Sequence, residues 1–122
     1  MERGLIIKKQ HLDKIYDDGK IWEMRSSPTN IRGRIGLIES GSGLITGECE
    51  IVDCYKYIAE QARQRLFDWL EWMHCHQVSD LDKLNKWRYP WVLKGAKRYA
   101  EPIPYKHPKG AVIWVKLDSL HK

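Results

Sequence analysis

The sequence predicts a single α+β domain, with short strands on both sides of one helical stretch and strands enough to close a small barrel. Three observations carry this. From Leu44 to Val52 the chain alternates: Ile45, Gly47, Cys49 and Ile51 share one face, and Thr46, Glu48 and Glu50 the other, as in a half-buried antiparallel strand. From Ala59 to His76, Ala62, Leu66, Trp69, Leu70 and Met73 recur at helical spacing, with Arg63, Gln64, Asp68 and Glu71 opposite. The length, 122 residues, suits one core, so residues 1–122 are read as one domain.

The elements follow in order. Leu5 to Lys8 reads as a short apolar strand. Gln10 to Asp18 places Leu12, Ile15 and Tyr16 at helical spacing. Gly19 suits a left-handed cap that ends that helix. Trp22 to Ser26 is a second strand, and Pro28 and Asn30 punctuate the loop after it. Arg34 to Glu39 is a third strand, turned back at Ser40-Gly41-Ser42-Gly43 into the alternating one. Beyond the long helix, Ser79 is positioned to cap a short helix over Asp80 to Lys86. Tyr89 to Leu93 is a strand with Tyr89, Trp91 and Leu93 on one face, and Lys94 to Lys97 reads as a bulge or turn. Pro102 and Pro104 cannot continue a central ladder, because proline lacks the donor. Ala111 to Leu117 is the last strand.

The stretch Gly19 to Arg25 concentrates the chemistry. It brings an ammonium, a carboxylate and a guanidinium within seven residues. In a strand Glu23 and Arg25 face one way and Trp22 and Met24 the other. Lys20, at the bend, must reach the Glu23 side. Such a set suits a cleft that holds a phosphate or a base edge, or that moves a proton; a solvated strand face is the plain alternative.

Charge and aromatic content favour one class of partner. The net charge is +5. Between Lys83 and Lys109 stand eight basic residues against Glu101 alone. The six Trp and six Tyr, against one Phe, suit base-stacking surfaces as well as a small core. Tyr89 and Trp91 are thus read either as an aromatic wall for a base or as packing. Arg32 and Lys94 are read as phosphate contacts and Ser40 as a turn donor. No metal or cofactor is expected. His74 and His76 are two apart on a helix and cannot face one ion, and there is no Gly-rich phosphate loop. Three Cys without a CxxC pair, no signal peptide and no span of about 20 apolar residues give an expectation of a cytoplasmic protein with no membrane partner.

Four segments resemble the ASCH domain, a small β-barrel of the PUA-like superfamily: Gly19 to Arg25, Pro28-Thr29-Asn30-Ile31-Arg32-Gly33, Gly47 to Cys54, and Tyr89 to Leu93 with Glu101 to Tyr105. They fall in the family's order. The resemblance implies a PUA-like β-barrel with a helical insertion covering one side. It also implies an RNA or other nucleic-acid partner, or a modified nucleoside, held beside Lys20, Glu23 and Arg25. Some relatives are hydrolases of acylated cytidine or ribonucleases. Lys20 matches the lysine of the former, while Glu23 stands where they carry threonine. In an enzyme Lys20 and Glu23 would be the catalytic pair; in a binding module Arg25, Arg32, Ser40, Tyr89, Trp91 and Lys94 would hold the ligand. A third expectation, a protein-interaction face or homodimer seam, rests on Phe67 and Trp72, which lie off the apolar stripe.

Overall fold

The computed structural model describes residues 1–55 and 69–117. Among them the chain runs β1 (Arg3–Ile7), α1 (Lys9–Asp17), β2 (Trp22–Arg25), β3 (Gly33–Glu39), β4 (Leu44–Cys54), α2 (Trp69–His76), a 3-10 turn (Leu81–Asn85), β5 (Tyr89–Pro104) and β6 (Trp114–Lys116). The six strands form one sheet in the order β2-β5-β4-β3-β1-β6. Neighbours are antiparallel except β1 and β3, which run parallel with Leu5 opposite Leu37. A parallel pair needs a crossover rather than a hairpin, and α1 and β2 lie within that crossover. β3 and β4 do form a hairpin. Its turn uses Gly41 and Gly43 at φ 78° and 70°, and Ser42 Oγ donates to Glu39 O.

β5 is longer than its sequence suggests. The stretch Lys94 to Lys97 is a bulge within it, where the register against β4 shifts between Glu48 and Glu50. A bulge bends a strand and increases its twist. Pro102 and Pro104 lie where β5 pairs with β4 but not with β2, which reaches only Tyr89 to Val92. There the proline nitrogens interrupt no central ladder.

The sheet curls into a half-barrel, and backbone ladders do not close it. It is the small barrel of the α+β domain that the sequence predicts, open between its two end strands. The end strands β2 and β6 have four and three residues and are not neighbours in the sheet. Side chains cross the seam instead. Arg25 on β2 donates to Ile6 O on β1 at 2.8 Å. Trp91 on β5 stacks on Trp114 on β6, with centroids 5.9 Å apart.

One apolar cluster joins α1 to the sheet through Leu12 and Ile15, which pack with Leu5, Ile35, Leu37, Cys49 and Leu93. Gly47 makes this approach possible. A Cβ there would lie 2.3 Å from Lys97 O and 2.4 Å from Tyr16 Oη. A second cluster packs α2 and the 3-10 turn on β2: Trp22, Met24, Trp72, Cys75 and Leu84. Two expectations fail at α2. Trp72 is buried and Leu70 is 78% exposed, because the surface offered by Trp22 and Met24 is filled by the Trp72/Cys75 side at i, i+3 spacing. Trp72 is therefore no docking residue, while Phe67, Ala62 and Leu66 lie outside the described residues. Asp80 rather than Ser79 caps the next segment, accepting from Asp82 N–H at 3.1 Å, and that segment is 3-10.

Gly47→Ala is expected to destabilise the domain by about 1–3 kcal/mol, the usual scale of overpacking. Urea denaturation measures it, and an unchanged midpoint would show that α1 and β5 can move apart freely.

Candidate functional site

The site begins where α1 stops. Gly19 takes φ 73°, and a Cβ on it would lie 2.9 Å from His74 Nε2. The glycine thus supplies both the left-handed turn and room for α2. The turn sends Lys20 inward, where it is 2% exposed. Lys20 Nζ donates to His76 O in a close contact, and Ile21 N–H donates to Cys75 O at 3.1 Å. Both acceptors belong to the last residues of α2, the negative end of its dipole, which favours a cation. Burial nevertheless pulls the Lys20 pKa down to about 8, against the opposing pull of Glu23.

Glu23 is 5% exposed and is held by Arg25, whose Nη2 donates to Oε2 at 2.9 Å. The same guanidinium reaches Ile6 O and lies 5.5 Å from the centre of the Trp91 ring. A buried carboxylate requires such a partner.

These three side chains line one cavity of about 300 Å³. His11, on α1, lines it too. Its Nδ1 is buried without a hydrogen-bond partner, and burial lowers its pKa, aided by the Lys20 charge and opposed by Glu23. Ser40 comes from the β3–β4 turn, Lys8 and Gln10 from the start of α1, and Lys83 and Trp87 from the 3-10 turn and the link to β5. Ile6, Met24, Val78 and Val112 supply apolar wall. Among the lining residues, Lys20 and Glu23 are buried while Lys8, Ser40, Lys83, Trp87 and Val112 are exposed, so the charged pair lies deep and the basic and aromatic groups lie at the mouth.

The family model of the ASCH domain matches residues 5–109. The chain belongs to the ASCH domain family. Its fold is similar to the crystal structure of a mutant ZmASCH protein from Zymomonas mobilis, with TM-score 0.66 at 12% identity, covering 95% of this chain and 89% of that one. No curated protein matches the sequence.

The ASCH domain does not bring every expected residue to its cavity. Arg32 is on the surface, with Nη1 donating to Thr29 O and Ile31 O, both at 2.9 Å, so it ties its own loop. Trp91 is buried. Its Nε1 donates to Ser27 O at 2.9 Å, and Trp114 and Arg25 already occupy its ring. It is core, not an open wall for a base. Tyr89 is partly buried beside Arg88, and Lys94 is exposed on β5, paired in register with Glu50; neither lines the cavity. His11, Lys83 and Trp87 were not anticipated. For Trp87 a signal existed: one aromatic ring among Lys83, Lys86 and Arg88. Among the described residues, no three His, Cys, Asp or Glu side chains group to hold a metal, and no helix is long and apolar enough to cross a membrane.

The depressed Lys20 pKa carries a sign. The folded protein gives up this proton near pH 8, whereas the unfolded chain keeps it to about 10.5. Between those values the unfolded state binds more protons, so this group's contribution to stability rises with pH. The unfolding free energy of the wild type minus that of Lys20→Met is expected to rise by roughly 1–3 kcal/mol from pH 7.5 to 10.5. Urea melts across that range test it, and the difference cancels the titration of tyrosines and cysteines common to both proteins. A flat difference would place the Lys20 ammonium in a water-like setting.

Proposed function

We propose that this ASCH domain binds single-stranded RNA by taking one unpaired base into the Lys20–Glu23–Arg25 cavity. The observation that carries the reading is the pairing of a buried cation and a buried carboxylate with a cavity of about 300 Å³. That size lies at the small end of ligand pockets and suits one nucleoside rather than a duplex. A base edge presents donors and acceptors side by side. Arg25 engages Glu23 Oε2, which leaves Oε1 to accept from a ligand. Lys20 spends one N–H on His76 O and has two more to give. Lys8 and Lys83 at the mouth, and the net charge of +5, favour a phosphate backbone. The PUA-like fold, often linked to RNA binding, agrees.

A specific observation favours a second reading, hydrolysis of the same bound ligand. His11 presents an unpartnered buried Nδ1 in the cavity that Lys20 lines. A neutral imidazole can take a proton from water while an ammonium holds the developing oxyanion. Glu23 is the alternative base. Mass spectrometry of acylated cytidine and of RNA after incubation separates binding from turnover.

Fluorescence anisotropy with single-stranded RNA tests the binding reading. Lys20→Met and Glu23→Gln are each expected to weaken binding about tenfold or more, the loss of roughly 1.5–3 kcal/mol that a charged hydrogen bond contributes. Affinity should fall with added salt, and should fall again above pH 8 as Lys20 loses its proton. Wild-type affinity in both variants would exclude the cavity as the binding site.

A further inference from the structure

We infer that Trp87 stacks the base adjacent to the one in the cavity while Lys83 and Lys86 hold the phosphate between the two. The unit this protein recognises is then a dinucleotide step of a single strand, not a free nucleoside. The inference rests on the base-in-cavity reading and adds to it a second subsite.

Among the tryptophans whose side chains are described, exposure sets Trp87 apart. Trp22, Trp72 and Trp91 are buried and Trp114 is half-buried, whereas Trp87 is 37% exposed at the mouth of the cavity. An indole left in water beside a polar cavity suits a flat π-face ligand, and every base offers one. The backbone beneath is fixed. Lys86 and Trp87 both donate their N–H to Lys83 O, at 3.1 and 2.9 Å, and Leu84 anchors the turn in the core. The ring is thus presented from a rigid turn, and ordering it on binding costs little.

Charge agrees with the placement. Lys86 Nζ lies 5.0 Å from the Trp87 ring centre, and Lys83 lines the cavity. Asp80 and Asp82 begin the same turn, but neither lines the cavity, and Asp80 is occupied as the N-cap. Among the described lining residues the one carboxylate, Glu23, is buried and already faces Arg25. The cavity holds a single nucleoside, so the next nucleotide must lie outside it, where Trp87 and the two lysines stand.

The test compares ligands of two sizes. The probes are fluorescein-labelled pentaribonucleotides and pentadeoxyribonucleotides of A, C and U, read by anisotropy, and the four free ribonucleosides, read by NMR titration. Trp87→Ala is expected to weaken pentanucleotide binding roughly 5- to 100-fold, and nucleoside binding by a clearly smaller factor. Trp87→Phe should keep most of the affinity, which separates stacking from misfolding. The loss should be the same for ribose and deoxyribose strands, because a π-face is blind to the sugar. Joint replacement of Lys83 and Lys86 by Ala should reduce the slope of log K against log salt by about 0.7, the value for the one phosphate they hold. Wild-type pentanucleotide affinity in Trp87→Ala, with loss in Glu23→Gln, would overturn the second subsite and leave the cavity reading standing. Wild-type affinity in Glu23→Gln would overturn both. Equal losses for nucleoside and pentanucleotide in Trp87→Ala would make the indole a wall of the first subsite and overturn the inference. So would the failure of every pentanucleotide to bind.

Discussion

The Arg25 guanidinium is the contact on which the architecture and the cavity both depend. The sheet ends in two short strands that do not meet, and Arg25 reaches across from one end to Ile6 O near the other. With the same planar fork it holds Glu23 and covers Trp91. Lysine could not do all of this, because a point charge lacks the several fixed donors of a guanidinium. Without Arg25 the Glu23 carboxylate would be a buried charge with no partner, which proteins tolerate poorly. Strand closure and cavity electrostatics therefore reside in one side chain.

A second arrangement follows the same logic. Lys20 is buried against the C-terminal carbonyls of α2, and Gly19 removes the Cβ that would otherwise strike His74. Beside it His76 is fully buried, accepts from Val78 N–H on Nδ1, and has its pKa lowered to about 4 by burial and then by Lys20. Titratable groups placed in a small core are poor choices for stability alone. Their clustering here, with Lys20 in the cavity lining, is what makes the cavity a candidate site.

Much of this was legible in the sequence, and the limits have physical causes. Alternation located β4 because a half-buried strand is written in a period of two, and the Ser-Gly repeat located its hairpin. Gly19 was legible because few other residues take its backbone angle. The buried face of α2 was not. Leu70 and Met73 make as good a stripe as Trp72 and Cys75, and only the shape offered by Trp22 and Met24 decides between them. The sequence leaves Trp91 open between a wall for a base and packing, and nothing local foretells that its ring meets Trp114. Lys20, Glu23, Arg25 and Ser40, the sequence's candidates, line one cavity. His11, Lys83 and Trp87 join them from segments far apart in the chain, which local patterns do not bring together.

The seam has a consequence for how such a domain diversifies. Backbone ladders hold neighbouring strands at a fixed spacing of about 4.8 Å, so a cavity enclosed only by ladders changes its breadth in coarse steps. Here the gap between the sheet's two ends is set by the reach of a guanidinium and the thickness of two stacked indoles. Those lengths vary by single side chains. The separation of the sheet's two ends is thus a continuous quantity that point substitutions can adjust while every strand keeps its register.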